Sequence, residues 1–195
     1  MIEHDLLVNV LSGIAFLDDA TRPSARRLAG LTETQRLPGR QLAQIHEHFR
    51  DNMKVLRELI AGAAAGEVGA EDLRARAEAV PMLMNYRRFG NLCGRHCQII
   101  NMHHAIEDQA IFPQLRRQIV ALRLVVERLV AEHEIVHELL LRLVAALQAL
   151  ARQPGPDSLA AVNEVYGALE RVLLSHFFYE ETQIGDAVGY YGIGE

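Results

Sequence analysis

The stretch QIVALRLVVERLVAEHEIVHELLLRLVAALQALA, residues 118–151, decides the fold of this chain. Its apolar residues recur with the helical period of about 3.6 residues. They are Leu122, Val126, Val130, Leu140, Leu141, Val144 and Leu147. This pattern predicts one long amphipathic helix, and the Pro154-Gly155-Pro156 sequence after it predicts where the helix stops. His133 and His137 lie inside the stretch, about one helical turn apart.

Three further segments have helical periodicity. Residues 41–60 carry an apolar stripe that ends at Ala61-Gly62, and residues 82–112 carry a looser one that we expect Pro113 to end. A last helix is predicted from Asp157 or Ser158, either of which can cap its first turn, through Ile184. No segment has the alternation of a half-buried strand. We therefore predict an all-α fold, an antiparallel (up-down-up-down) four-helix bundle with an extra N-terminal helical segment.

The length and composition fit one compact domain, since 50% of the 195 residues are hydrophobic and 23% are charged. We expect residues 1–37 to form an N-terminal extension, helical and packed on the bundle. Residues 38–184 are the predicted bundle, and residues 185–195 a glycine-rich tail.

Charge and hydropathy argue against two classes of partner. The net charge is −5 and the basic residues are scattered among acids, so we expect no nucleic-acid partner. The apolar stretch 6–17 is interrupted by polar residues and follows acidic ones, so we expect no leader and no membrane span. Cys93 and Cys97 are four residues apart, a spacing that seldom gives disulfide geometry, and we expect them to fill space in a cytoplasmic protein.

Polar residues at helical spacing interrupt the apolar stripes of three successive predicted helices. The pairs are His103 with Glu107, His133 with His137, and His176 with Glu180. Residues four apart share a helix face, and each pair continues the apolar stripe of its helix, so all should point into the core. A buried polar group without a partner costs roughly 2–7 kcal/mol. A metal ion would supply the partner, because inward imidazoles and carboxylates of a bundle hold iron, manganese or zinc.

The first predicted helix offers one more histidine to such a site. His46 and His48 are two residues apart, about 200° around a helix, so only one of them can point inward. We favour His46, because apolar Phe49 and Met53 follow it at helical spacing. We expect His48, His96 and His104 to lie on the surface or behind the ligands.

Taken together, these motifs resemble the haemerythrin-like HHE cation-binding domain. They are His46, His103-His104-Ala-Ile-Glu107-Asp108 followed by Ile111-Phe112-Pro113, Glu132-His133-Glu134 with His137, and His176-Phe-Phe-Tyr-Glu180-Glu181. The resemblance covers about residues 40–184 and implies a non-haem di-iron centre, with zinc or manganese as other possible metals. It implies five terminal histidines (His46, His103, His133, His137 and His176) and two bridging carboxylates (Glu107 and Glu180).

The function that the resemblance implies is binding of, or reaction with, a small molecule such as oxygen, nitric oxide or peroxide, in sensing, storage or stress response. Haemerythrin itself has a five-residue step from histidine to aspartate on its last helix, whereas His176 and Glu180 are four apart, so oxygen storage does not carry over directly. Two alternatives remain. One is a zinc metalloprotease, through the motif His133-Glu134-Ile135-Val136-His137. The other is a ferritin-like iron-handling bundle, for which only Glu134-x-x-His137 fits.

Overall fold

The computed structural model describes residues 9–64 and 94–193, and within these ranges it contains helices and turns but no strand. Helix α1 spans Glu33–Ala64, α2 spans Gly94–Ile106, and a π-helical turn over Glu107–Ile111 joins α2 to the short α3, Phe112–Leu115. Helix α4 spans Val120–Arg152 and α5 spans Pro156–Tyr190. The predicted all-helical class is confirmed for these residues. No helix in the described ranges has an apolar stretch long enough to cross a bilayer.

The chain divides into two compact units. Among the described residues, unit 1 comprises 9–16, 52–64, 94–98 and 135–170, and unit 2 comprises 17–51, 99–134 and 171–193. In unit 1 the buried residues of α4 and α5 are mainly apolar, among them Leu139, Leu143, Val162 and Val165. In unit 2 an apolar cluster forms from the start of α4 and the end of α5, and Ala25 and Leu28 pack against it.

The N-terminal segment differs from the helical extension that the sequence predicts. Between residue 9 and the start of α1, the structure has turns and one 3-10 turn, Asp19–Thr21, and the rest is not helical. The reason is local: Gly13 and Gly30 adopt positive φ values of 80° and 74°, and the Asp18 side chain accepts a hydrogen bond from the Ala20 amide. The segment is nevertheless held in place, because the Ala25 amide donates to Gln183 at 2.8 Å.

Gly192 follows in a turn with a positive φ of 61°, but Gly185 and Gly189 of the predicted glycine-rich tail belong to α5, which continues to Tyr190. Their role is close helix packing within unit 2. A Cβ added to Gly39 of α1 would lie 2.6 Å from the carbonyl oxygen of Gly185, and one added to Gly189 would lie 1.8 Å from the carbonyl oxygen of Gln35. The backbones of α1 and α5 therefore approach closely at these glycines, which fixes the two helices that carry His46 and His176.

The helix that Pro113 was expected to end continues through this proline to Leu115. Proline lacks an amide hydrogen and its ring crowds the carbonyl one turn earlier, so it disfavours the regular α-helical hydrogen-bond pattern around it. The chain accommodates it with the π turn, in which the Phe112 amide donates to the carbonyl of Glu107. The predicted start of this helix, near residue 82, lies outside the described residues.

Cys97 is buried and disulfide-bonded, so the expectation that it only fills space was wrong; Cys93 lies outside the described residues.

Candidate metal centre

Four helical segments of unit 2 bring seven histidine and glutamate side chains together. The first group, the four-ligand group, is His46, His103, Glu107 and Glu180; the second, the three-histidine group, is His104, His133 and His176. Within each group the atoms that could ligate a metal lie within 4.8 Å of one another. His46, His176 and Glu180 are completely buried, with 0% exposure. Polar groups therefore occupy positions that apolar side chains fill elsewhere in the fold.

The two glutamates lie between the two groups. Glu107 Oε1 is 3.1 Å from His103 Nε2, and its Oε2 is 3.7 Å from His133 Nε2. Glu180 Oε2 is 3.4 Å from His46 Nε2 and 3.5 Å from His176 Nε2. Each carboxylate thus faces one histidine of the four-ligand group and one of the three-histidine group, which is the position of a carboxylate that bridges two ions.

Five polar atoms of this cluster are buried without a hydrogen-bond partner. They are both carboxylate oxygens of Glu107, both of Glu180, and Nε2 of His104. Native proteins seldom leave buried polar atoms unpaired, because each loses its hydration with nothing in return. So many in one place indicate that a cation belongs among them.

Three of the histidines are oriented from behind by carboxylates. Nδ1 of His46 lies 2.9 Å from Glu181, Nδ1 of His133 lies 2.9 Å from Asp108, and Nδ1 of His176 lies 3.1 Å from Glu132. A carboxylate only accepts hydrogen bonds, so each Nδ1 carries the proton and each Nε2 presents a lone pair to the centre. This is the arrangement that orients metal-ligating histidines in proteins.

In two places the Nε2 atoms of two imidazole rings lie close together. Nε2 of His133 lies 3.2 Å from Nε2 of His176, and Nε2 of His46 lies 3.0 Å from Nε2 of His103. In the first contact both nitrogens present lone pairs, which repel unless a cation lies against them. The structure therefore fits a metal at this point.

Burial shifts the pKa values of the histidines and glutamates in the cluster toward their neutral forms. Burial lowers the pKa of His103 to about 3 and that of His176 to about 4, so both imidazoles stay neutral near pH 7. Burial raises the pKa of Glu180 to about 8 and that of Glu107 well above its ordinary value. Without a cation Glu180 therefore holds a proton at pH 7, and a metal ion would have to displace it.

Apolar rings enclose the cluster within unit 2. Phe177 stacks on His46 with ring centroids 4.2 Å apart, and Phe112 stacks on His133 at 5.3 Å. Both phenylalanines are almost completely buried. They limit the access of water and hold the imidazole planes.

The π turn at the end of α2 supplies both a residue of the cluster and a residue that supports one of its histidines. Its first two residues are adjacent acids, and Glu107 points into the cluster while Asp108 supports His133 from behind. His103 and His104, in the last turn of α2, reach the two different groups. Local widening of a helix is frequent at functional sites, and here it lies at the residue that bridges both groups.

The structure brings six of the seven predicted metal ligands together: His46, His103, Glu107, His133, His176 and Glu180. It places His48 on the surface, in line with the choice of His46. His137, the remaining predicted ligand, is exposed and lies in neither group. The buried stripe of α4 steps from His133 to Val136 and then to Leu140, so the inward position after His133 falls three residues on, not four.

His104, which is not among the predicted ligands, lies in the three-histidine group, and His137 does not. His104 is 5% exposed and stacks on His133 with ring centroids 3.8 Å apart. The sequence predicts His104 on the surface or behind the ligands, because His103 and Glu107 define the predicted ligand face of this helix. Counting from Ile100, which is completely buried, gives His104 and then Glu107 at helical spacing, and that signal would have found it. The side chain of His96 lies outside what the structure describes.

The zinc-protease motif is not assembled. Glu134 and His137 are both exposed, so neither the second histidine nor the general base of that motif faces the buried cluster. The same exposure removes the Glu134-x-x-His137 pair on which the ferritin-like alternative depends.

Comparison with known proteins agrees with the cluster. The family model described as the hemerythrin HHE cation binding domain matches residues 37–188. No curated protein and no solved structure matches the chain. The matched range contains all seven residues of the cluster and most of the chain. This protein belongs to the hemerythrin HHE cation-binding family.

Proposed function

We propose that the protein is a non-haem di-iron protein. Seven side chains would hold the centre: His46, His103, His104, Glu107, His133, His176 and Glu180. The observation that carries this proposal is that Glu107 and Glu180 are buried between the two groups with all four carboxylate oxygens unpaired. Two adjacent ions that share two carboxylates would satisfy these atoms, whereas a single ion would leave one group without a partner.

The donor set supports iron. Five imidazoles and two carboxylates suit iron, zinc and manganese, and no thiolate belongs to either group of described residues. Membership of the HHE family favours iron among these. Zinc and manganese are the alternatives that metal analysis distinguishes. The predicted antiparallel bundle and cytoplasmic location are parts of the same proposal.

When bound, such a centre supplies a place where oxygen, nitric oxide or peroxide binds or reacts. The residues of this chain would do three things for it. The carboxylates Asp108, Glu132 and Glu181 keep three imidazoles in the ligating tautomer. Phe112 and Phe177 exclude water from the imidazoles they cover. Glu180, with a pKa near 8 before metal enters, gives up a proton as the centre loads.

Iron loading of three proteins tests the proposal: the wild type, His104→Ala, and the matched control His137→Ala. Metal-free protein is loaded anaerobically with ferrous iron, and separate samples receive oxygen, nitric oxide or peroxide. We expect at least one of these to change the absorption of the wild type and of His137→Ala, with the near-ultraviolet bands of a non-haem ferric pair after oxidation. We expect His104→Ala to bind less iron. Iron-loaded wild type that is inert to all three molecules, or loss of iron only in His137→Ala, would contradict the proposal.

A further inference from the structure

An arginine from the N-terminal segment reaches the back of the metal centre. We define residues 18–25 as the N-terminal strap. Arg22 of the strap donates from Nε to Glu132 Oε1 at 2.9 Å and from Nη2 to Glu132 Oε2 at 3.1 Å. This two-pronged pair is largely shielded from water, since the side chains of Arg22 and Glu132 are 13% and 4% exposed. Arginine is suited to such a contact because its planar fork matches both carboxylate oxygens.

The rest of the strap is fixed to the same region of α4 and α5. Arg22 Nη1 also donates to Ser175 Oγ at 2.8 Å, and its guanidinium lies 4.7 Å from the centre of the Tyr179 ring. The Tyr179 hydroxyl donates to the Pro23 carbonyl at 2.7 Å. Arg128 of α4 donates to the Asp18 carbonyl at 3.0 Å. Several polar contacts therefore hold the strap in place, and Arg22 is the strap residue whose contacts lead toward the metal centre.

Glu132 connects Arg22 to His176, one of the proposed metal ligands. Glu132 Oε2 accepts the hydrogen bond from Nδ1 of His176, which is completely buried. Arg128 also contacts Glu132, but at Oε1, 2.6 Å away. Arg22 is the partner that holds Oε2, the oxygen that His176 uses. Without it the carboxylate would be free to turn about its bond to Arg128, and His176 would lose the acceptor that keeps its proton on Nδ1.

A second relay in unit 2 has the same form. Arg50 Nη2 donates to Glu181 Oε1 at 2.7 Å, and Glu181 accepts from Nδ1 of His46. Arg50 lies on α1 itself, inside the range that the family model matches, whereas Arg22 lies before residue 37, where that range begins. One relay is thus built within the helices of the domain, and the other depends on the strap.

We propose that Arg22 is a positioning residue of the metal centre. It holds Glu132 so that His176 presents Nε2 to the three-histidine group, and the strap thereby controls how firmly that group retains its metal. This inference rests on the proposed function for its metal readout. Its prediction for the tautomer of His176 does not depend on the presence of a metal.

Three variants test it. Arg22→Gln removes the fork, Arg22→Lys keeps the charge but can make only point contacts, and Arg142→Gln is the matched control. Arg142 likewise ties the N-terminal segment down, by donating to the carbonyls of Val10 and Ser12 at 2.8 Å each, but it lies in unit 1 and does not contact Glu132. The loss of iron from the loaded protein to a strong chelator is timed for each variant.

Removing a group bonded directly to a ligand costs about 10–100-fold, and Arg22 acts one contact further away, so we expect Arg22→Gln to lose iron up to about 10-fold faster. Arg22→Lys should lie between Arg22→Gln and the wild type, and Arg142→Gln should stay close to the wild type. In metal-free protein, ¹⁵N NMR of the imidazoles should show His176 with its proton on Nδ1 in the wild type and in Arg142→Gln. In Arg22→Gln a measurable share should carry the proton on Nε2.

A double-mutant cycle shows whether Arg22 acts through Glu132. In a Glu132→Gln background, Arg22→Gln should change the rate of iron loss by less than about twofold, because the relay is already interrupted. Additive effects would overturn the proposal, and so would equal effects of Arg22→Gln and Arg142→Gln. An unchanged tautomer of His176 in Arg22→Gln would overturn it even if the protein bound no metal. If Arg22→Gln does not fold, a wild-type rate and tautomer in Arg22→Lys would contradict it.

Discussion

Unit 1 and unit 2 treat buried polar groups in opposite ways. In unit 1 the Tyr166 hydroxyl donates to the carbonyl of Met53, and the Glu170 carboxylate accepts two hydrogen bonds from Arg57. In unit 2 the carboxylates of Glu107 and Glu180 are buried as deeply, but no arginine, hydroxyl or backbone amide of the described residues donates to them. The difference teaches that these two buried polar groups of unit 1 find partners within the chain, whereas the carboxylates of unit 2 would, under the proposed function, find theirs in a cation.

The largest expected effect is that of metal on stability. A ligand that binds only the folded state at a thousandfold excess over its dissociation constant adds about 4 kcal/mol. At about 2–4 °C per kcal/mol for a domain of this size, loading with iron should raise Tm by about 10 °C. Differential scanning calorimetry of metal-free and reloaded protein measures this. A Tm that does not change on loading would mean that the cluster of unit 2 is satisfied without metal.

The second effect concerns the close crossing of α1 and α5 that positions the centre. In Gly39→Ala the new Cβ would lie 2.6 Å from the Gly185 carbonyl oxygen, so the helices must separate. Overpacking of this kind costs about 1–3 kcal/mol. In the matched control Gly185→Ala, the Cβ would lie 3.6 Å from Gly39, an ordinary contact. Urea denaturation should show a loss only for Gly39→Ala, together with weaker iron binding, and equal losses would contradict this packing.

A third effect is the pH dependence of metal-free stability. The pKa of Glu180 is about 8 in the folded protein against an ordinary 4.5, so its contribution is present below pH 4.5 and is lost as pH rises through 8. The pKa of His176, about 4 against an ordinary 6.5, acts oppositely but only below pH 6.5. Between pH 6.5 and 8 the raised pKa of Glu180 should lower the stability by about 1–2 kcal/mol. Denaturation at several pH values checks this, with Glu180→Leu as the control that should flatten the curve.

The smallest effect is that of replacing a bridging carboxylate in metal-free protein. Glu180→Leu removes a buried polar group that lacks a partner, so metal-free stability at pH 7 should stay within about 1 kcal/mol of the wild type or rise. Tyr166→Phe in unit 1 should do the reverse and cost about 1 kcal/mol, because it breaks a satisfied hydrogen bond. A loss above about 2 kcal/mol for Glu180→Leu would mean that protein groups hold this carboxylate.

The same contrast explains how much the sequence could predict. Periodicity placed α4 at residues 118–151 against the observed Val120–Arg152, because a long stripe with proline after it leaves little choice. It also singled out His46 over His48 and both glutamates, since polar residues on an apolar stripe are conspicuous. Where a helix packs one apolar face on the core and exposes the other face to solvent, its hydrophobic periodicity correctly predicts its bounds and its buried face.

The errors arose where tertiary contacts override local rules. Pro113 ends a regular helix, but a π turn carries the chain past it, and Gly185 and Gly189 belong to a helix because another backbone packs against them. The structure brings His104 and not His137 into the cluster, because the buried faces of α2 and α4 follow other residues than the predicted ligand spacing. Arg22 had no local signal, since its partner Glu132 is distant in the chain.

The central claim, that the buried cluster holds two metal ions, is tested most directly by counting them. Metal-free protein is loaded with ferrous iron, freed of excess by gel filtration, and analysed for metal and protein by mass spectrometry and amino-acid analysis. We predict two irons per chain, falling below one when His46→Ala and His176→Ala remove a histidine from each group. One tightly held zinc per chain, or no transition metal retained by a folded wild-type protein, would contradict the account.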